Sequence, residues 1–372
     1  MGANLPRVAF VLTELRPGGM ERLVVHLATS LKDRGVVVLV LCLHEAGQLA
    51  PLLAEREVPV VALHSSGGKD IKTLYRLWRQ LRQFCPTCVH LHDYTSLPYA
   101  AIANLFSSDR APLLFTGHGL LYEGFEPLKK RLRFFSRFLT SISAVSSTVA
   151  QRHKDYLAWG KEIPVISNGV PEVSIDSRMR CRVREELGLD EDTFLFLAVG
   201  NPRPEKAFED LLSAAGLLRD QGYNFYVAIA GTLTESDYCR NVLQQLDSMG
   251  LQNHCRFLGF RNDTASLYAA ADAFVLSSRS EGLPMVILEA MMAGLPVVST
   301  RVGGIADAVG DVVSLVESRS PSKLSRAMEE IYVNHEFRHK LAQTGRDYAV
   351  RHFGIKQMAD RYILWYRQCE GC

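Results

Sequence analysis

The chain has 372 residues, 47% apolar and 22% charged, which excludes a disordered or fibrous protein and exceeds what one core usually serves. No run approaches the roughly 18 apolar residues of a membrane span. The net charge of +2 is unevenly spread: residues 1–171 hold 20 Lys/Arg against 13 Asp/Glu, and the rest 22 against 27, so the front half suits an anionic acceptor or membrane surface.

The first residues, MGANLPRVAFVLTE, have too short an apolar stretch for a signal peptide, and Pro6 excludes a myristoylation signal. Eight cysteines without such a signal read as reduced thiols and a cytoplasmic protein. Cys85 with Cys88, and Cys369 with Cys372, have C-x-x-C spacing, and a zinc site requires the two pairs to meet. Against that, Cys88 opens a strand-like run and the second pair ends the chain, so no metal is expected.

PRVAFVLTEL reads as a strand, followed by Arg16-Pro17-Gly18-Gly19 and a helix with Leu23, Leu27 and Leu31 on one face, ended by Gly35. With VVVLVLCL this is a βαβ opening, although G-x-G-x-x-G spacing is absent. The Gly18-Gly19 turn serves either as a plain strand-to-helix connection or as a close backbone approach to a ligand. Further strands are predicted at Val58–Leu63, Val89–His92, Leu113–Thr116, Ile142–Val145 and Pro164–Ser167, with helices between them. That alternation predicts a parallel sheet whose ligands bind beyond the carboxyl ends of the strands. The Gly117-His118-Gly119 loop stands at such an end; His118 is either a structural residue or a hydrogen-bond donor to a ligand. Residues 127–139, PLKKRLRFFSRFL, interleave five basic residues with Phe134, Phe135 and Phe138. They suit an anionic lipid surface, or a helix that packs its Phe face and solvates its Arg face. Nucleic acid shares that charge pattern, but no recognised binding module accompanies it, so no nucleic-acid partner is expected.

Asn168-Gly169-Val170-Pro171 is turn chemistry, and a domain boundary is placed after residue 171. A charged helix, SRMRCRVREELGLDED, leads to six more strand-like runs: TFLFLAVG, NFYVAIAG, HCRFLGF, ADAFVLSS, LPVVST and GDVVSLV. Asp190-Glu191-Asp192 precedes the first of them, the wrong end for a ligand, and reads as a charged turn. Arg203 and Lys206 follow that first run at a helix start, where the macrodipole disfavours cations unless an anion lies between. Solvated cations beside Glu205 and Glu209 are the plain alternative. In S-E-G-L-P-M-V-I-L-E-A, Ser280–Ala290, Gly282 allows a turn and Pro284 suits a helix start. The backbone N–H groups of Leu283, Met285 and Val286 would then face a phosphate, with Glu281 and Glu289 on either side of it. A solvated loop Glu and a surface helix Glu are the alternative reading. Residues 355–372 form a closing helix.

The 280–290 stretch, the A-G-L-P-V-V-S-T after it and the Gly pair at Gly303-Gly304 resemble the donor-site signature of glycosyltransferase family 4, retaining enzymes of GT-B fold. The resemblance implies an α/β protein with two Rossmann-like, doubly wound parallel-sheet domains facing across a cleft. Residues 1–171 are the acceptor side, 172–354 bind the nucleotide sugar, and 355–372 cross back to the first domain. It implies that Glu281 orients a hexose, Glu289 the ribose, His118 the donor sugar, and Lys206 the diphosphate. The family's Arg position is Asn201 here, so Arg203 is expected to substitute. Gly18 and Gly19 with Glu21 resemble its amino-terminal loop, and Gly259 with Phe260 or Arg261 its loop beside the base. The expected activity is retaining, metal-independent transfer of a hexose-type sugar from a nucleotide-diphosphate sugar, taken as UDP-linked, to a hydroxyl of a glycan or lipid-linked acceptor. The nucleotide sugar is a co-substrate and no other cofactor is implied. GDP-mannose-dependent transfer, a GT-B nucleotide-sugar epimerase and a non-catalytic sugar-nucleotide-binding partner are the alternatives.

Overall fold

A computed structural model describes residues 5–67, 70–107, 109–121 and 123–370, and the chain divides into two compact units, Met1–Gly169 with Ile355–Cys372 and Val170–Gly354. The first unit runs β1 (Arg7–Leu12), α1 (Gly19–Lys32), β2 (Val37–Cys42), α2 (Ala50–Ala54), β3 (Val60–Ala62), α3 (Ile71–Phe84), β4 (Cys88–Leu91) and α4 (Ser96–Leu105). It continues with β5 (Leu113–Gly117), α5 (Lys129–Ser136), β6 (Ser141–Ala144) and α6 (Ser147–Leu157). All six strands are parallel in the order β3-β2-β1-β4-β5-β6, with Phe10 between Val40 and His90. Val8 to Leu12 are wholly buried, as a strand covered by helices on both faces must be. Helix α3 packs on α4 and α4 on α5, making one of the covering layers.

The second unit runs α7 (Ser177–Leu187), β7 (Phe194–Val199), α8 (Phe208–Asp220), β8 (Phe225–Ala230), α9 (Asp237–Ser248), β9 (Cys255–Gly259), α10 (Thr264–Ala270) and β10 (Ala273–Leu276). Then come α11 (Met285–Met292), β11 (Val297–Thr300), α12 (Ile305–Val309), β12 (Ser314–Val316), α13 (Pro321–Val333) and α14 (His335–His352). Its parallel order, β12-β11-β10-β7-β8-β9, is the same Rossmann arrangement. In each sheet the strand order reverses at one place, between β1 and β4 and between β7 and β10. Loops from those strands splay apart there and leave room for a ligand. The charged α7 is anchored rather than solvated. Arg184 is buried and donates to Asp272 and to the carbonyls of Asp190 and Thr193, while Arg180 donates to Asp272 at 2.8 Å.

The last helix, α15 (Ile355–Glu370), packs in the first unit against α1 and β4. Tyr362, Trp365 and Tyr366 are buried there; Trp365 Nε1 donates to Ser141 Oγ at 3.1 Å and Tyr366 OH is 2.8 Å from His90 Nδ1. The strand predicted at Pro164–Ser167 does not form: Val165, exposed, makes only an isolated bridge to Ala144 beyond the edge strand β6. The helix predicted over 127–139 is shorter, α5 alone, preceded by a 3-10 turn over Glu123–Leu128 that contains Pro127.

Candidate functional site

At the reversal point of the second sheet, the loop after β7 meets the loop after β10. Lys206 ends a 3-10 turn, Pro204–Lys206, and its stem lies over Gly200, where a Cβ would come within 3.2 Å of Lys206 Cε. Lys206 Nζ donates to Glu281 Oε1 at 2.7 Å, and Ser278 Oγ donates to the same oxygen at 2.6 Å. Ser277 Oγ holds the Lys206 carbonyl at 2.9 Å, so the two loops are tied by backbone as well as charge. Glu281 Oε2 has no hydrogen-bond partner among the described residues. Beneath the Glu281 turn sits Gly303, with φ of +55°; a Cβ there would fall 1.7 Å from the Glu281 carbonyl oxygen. Gly304 N donates to Gly282 O at 2.9 Å. The Gly303-Gly304 pair is therefore the seat of the Glu281-Gly282 loop.

Pro284 caps α11 in an extended conformation, and the helix follows at Met285. Helix geometry leaves the first-turn N–H groups of Met285 and Val286 without intrahelical acceptors, while Ile287 N reaches Pro284 O at 3.3 Å. Leu283, Pro284 and Met285 are buried. Glu289 stands on the same helix, half-buried, and already accepts a hydrogen bond from Tyr268 OH at 2.8 Å, a partner that the sequence did not reveal. Arg203 is exposed at the start of the 3-10 turn, and its side chain has no hydrogen bond or ion pair among the described residues. Neither cation sits in the first turn of α8. Ala207 separates them from it, and that turn carries Glu209 and Asp210 instead. Both acids pair with Arg279, at 2.7 and 2.9 Å, a residue the sequence reading passed over.

Asn201 Oδ1 accepts from Thr232 N at 2.9 Å, fixing the ends of β7 and β8 together. Gly259 ends β9, and its carbonyl accepts from Gly231 N at 2.9 Å. Phe260 is half exposed beside it. Arg261, beside Phe260, is held by ion pairs to Glu186 and Asp263 at 2.5 and 2.7 Å.

In the first unit, Gly18 caps α1 and the carboxylate of Glu21 folds back over it, whereas Gly19 has open space above it. Asp93, two residues after the end of β4, accepts from Thr13 N and Ser96 N, which binds the β1 loop to the start of α4. Burial raises its pKa above the usual carboxylate range, against the lowering effect of those hydrogen bonds. His118 stacks on His92, ring centroids 5.3 Å apart, with Nε2 at 3.1 Å from His92 Nδ1. Burial depresses the His118 pKa to about 3. Gly117 leaves space for the His153 ring, which a Cβ would meet at 2.8 Å; that ring bonds Tyr94 OH at 2.6 Å and Gly119 O at 3.1 Å. The CVHLHD run, read only as a strand, thus supplies His92 and Asp93 to the carboxyl edge.

Among the described residues no group of three or more His, Cys, Asp or Glu is arranged to hold a metal ion, and Cys372 lies outside them. No described helix is long and apolar enough to cross a membrane. On the α3–α5 layer, α3 carries Lys72, Arg76, Arg79 and Arg82 with no acidic residue, and Ile71, Tyr75, Phe106 and Phe134 are exposed. Two of the five basic residues of 127–139 are engaged locally: Lys129 with Glu126, and Arg133 with the Tyr156 carbonyl.

Residues 180–348 match the family described as Glycosyl transferases group 1, and residues 17–172 the family described as Glycosyltransferase Family 4. The chain is 24% identical over 285 residues to N-acetyl-alpha-D-glucosaminyl L-malate synthase of Bacillus anthracis, covering 74% of each protein. It is 28% identical over 261 residues to the UDP-Gal:alpha-D-GlcNAc-diphosphoundecaprenol alpha-1,3-galactosyltransferase of Escherichia coli, covering 66% of each. In fold it is similar to the HepE protein of Anabaena, crystallised in complex with UDP and glucose, with a TM-score of 0.85 at 21% identity over 98% of this chain and 100% of that one. That likeness is one of architecture: two Rossmann-like domains of GT-B type.

Proposed function

The chain is a member of glycosyltransferase family 4 with the GT-B fold, and from that premise we propose that it transfers a hexose-type sugar from a UDP-linked donor to a hydroxyl of a glycan or lipid-linked acceptor, with retention and without a metal. The observation that carries this reading is the Lys206–Glu281 pair beside the start of α11. A cation and the first-turn N–H groups of Met285 and Val286, which have no intrahelical acceptor, stand where diphosphate charge grows as the glycosidic bond breaks, and such preorganised donors lower the barrier most. Glu281 Oε2, unoccupied, accepts from a hexose hydroxyl. Glu289 keeps Tyr268 on one oxygen and takes the ribose with its remaining acceptor capacity. Leu283, Pro284, Met285 and Val286 form the phosphate turn with Gly282, and Arg203, exposed, closes on the diphosphate from outside. Asn201, Gly259 and Phe260 line the nucleotide side.

In the first unit, Gly19 offers an open backbone surface to the acceptor, with Gly18 capping the helix behind it, and His118 hydrogen-bonds the sugar. The leaving phosphate assists acceptor deprotonation in a same-face substitution, so no separate protein nucleophile is assigned. The preference for UDP is supported by the UDP named for HepE and for the Escherichia coli relative. A lipid-linked acceptor is supported by that relative's diphosphoundecaprenol and by the basic, aromatic α3–α5 layer, which suits the surface of an anionic membrane on the cytoplasmic side. The test is mass-spectrometric analysis of the chain incubated with UDP-hexoses and lipid-linked glycans. Free UDP together with a glycosylated product supports the reading. Isomerised donor without transfer, or tight donor binding with no turnover on any acceptor, contradicts it.

A further inference from the structure

His92 and His118 follow neighbouring strands, β4 and β5, and both stand at the carboxyl edge of the first sheet. Their inner nitrogens, His92 Nδ1 and His118 Nε2, are 3.1 Å apart and share one hydrogen bond. Their outer nitrogens, His92 Nε2 and His118 Nδ1, are both buried and have no partner among the described residues. Neighbouring side chains do not fill that gap. His90 spends both nitrogens on Tyr366 OH and Thr116 Oγ1, at 2.8 and 2.7 Å, and His153 spends both on Tyr94 OH and Gly119 O.

Burial keeps both rings neutral at ordinary pH, His118 falling to about 3 and His92 well below its usual value. A neutral imidazole has one N–H and one lone pair. The ring that gives its proton to the shared bond therefore shows a lone pair on its outer nitrogen, and the ring that accepts shows an N–H. One outer donor and one outer acceptor result, and burial decides which ring has which. His92 is 3% exposed and enclosed by Phe10, edge-on at 4.8 Å, and by His90 at 4.0 Å. His118 is the more open of the two. Both outer nitrogens are equally closed off in this structure, so an N–H on either needs an acceptor brought by a ligand, and only His118, the more open residue, can be reached by one; the N–H is therefore placed on His118.

We propose that His92 is a positioning residue that donates from Nδ1 to His118 Nε2, fixing His118 in the tautomer with its proton on Nδ1 and aiming that N–H at an oxygen of the donor sugar. This rests on the sugar contact assigned to His118 above. His118 then acts as a neutral hydrogen-bond donor and not as a base.

Selective 15N-histidine labelling of the full chain, with long-range 1H–15N correlation, reads each tautomer directly. The wild-type spectrum is expected to show His118 protonated on Nδ1. In His92→Phe, which cannot donate, His118 is expected to move to the Nε2-protonated form that free histidine prefers, and turnover to fall about tenfold with UDP affinity unchanged. His92→Gln, whose amide N–H can replace the lost donor, is expected to restore the Nδ1 form. A wild-type His118 protonated on Nε2 overturns the proposal without any variant, as does an unchanged tautomer in folded His92→Phe. Equal turnover of His118→Ala and wild type overturns instead the sugar contact on which the proposal rests.

Discussion

Lys206 Nζ lies 2.7 Å from Glu281 Oε1, across 75 residues of sequence and between two loops that leave adjacent strands. The contact follows from topology. Strands β7 and β10 are neighbours at the point where the sheet reverses its order, so their following loops face each other over the carboxyl edge. With side-chain exposures of 22% and 12%, the pair is partly withdrawn from water, and loss of either partner leaves the other's charge poorly compensated.

Replacing Lys206 removes the cation beside the departing diphosphate, and replacing Glu281 removes both the hexose contact and the carboxylate that holds Lys206 in place. Lys206→Ala and Glu281→Ala are expected to lower kcat/KM at least about a hundredfold, the scale of losing one preorganised charge contact in a reaction site. Arg203→Ala, at an exposed position without a fixed partner, is expected to cost about tenfold or less. Initial-rate measurements on the three variants check this order, and a larger loss for Arg203→Ala would reverse it.

The Glu281 turn rests on the backbone of Gly303. Gly303→Ala places a Cβ 1.7 Å from the Glu281 carbonyl oxygen at a backbone φ of +55°. The turn must move, and stability is expected to fall by about 1–3 kcal/mol, with donor binding lost. Urea unfolding and UDP titration of this variant measure both, and unchanged values in the two assays would show that the loop does not rest on Gly303.

Acid should destabilise the first unit through its buried imidazoles. Burial depresses the pKa of His118 to about 3, and of His153 and His26 to about 4, against an unfolded value near 6.5. Above pH 6.5 both folded and unfolded forms are neutral. As pH falls below that, the unfolded chain takes up protons that the native rings refuse, so stability is lost progressively down to about pH 4. Each such histidine is expected to cost about 2 kcal/mol by pH 5. Denaturant unfolding at pH 7 and pH 5 is expected to show this loss, and His153→Gln to reduce it; an identical pH slope in His153→Gln would remove His153 from the account.

Charge reversal on α3 tests the membrane surface. Arg79 and Arg82 are exposed, and Arg79→Glu with Arg82→Glu is expected to weaken sedimentation with anionic vesicles at least about tenfold, since each cation near such a surface contributes about 1 kcal/mol. Binding by wild type that ignores both salt and anionic lipid would contradict a membrane role.

The sequence was most informative where a local pattern and its consequence coincide. The apolar runs became strands because a parallel sheet buries both faces, and Ser280–Ala290 became a turn and helix because Gly282 and Pro284 punctuate it. Residues whose meaning depends on distant neighbours were not legible. Arg279 matters through Glu209 and Asp210, Glu289 through Tyr268, Gly303 through the Glu281 carbonyl, and Arg261 through Glu186. His92 and Asp93 were hidden inside a run that read simply as a strand, because strand periodicity does not say where the strand stops and its edge chemistry begins.

The most direct measurement is the thermal unfolding midpoint of wild type and Lys206→Ala with UDP, UMP and uridine. At about a hundredfold excess over Kd, a ligand of the native state adds about 2.7 kcal/mol of stability. The account predicts that UDP raises the wild-type midpoint by several degrees, that UMP and uridine do far less, and that Lys206→Ala loses most of the UDP effect. A wild-type midpoint indifferent to UDP and to every other nucleoside diphosphate, or an equal rise in Lys206→Ala, would contradict it.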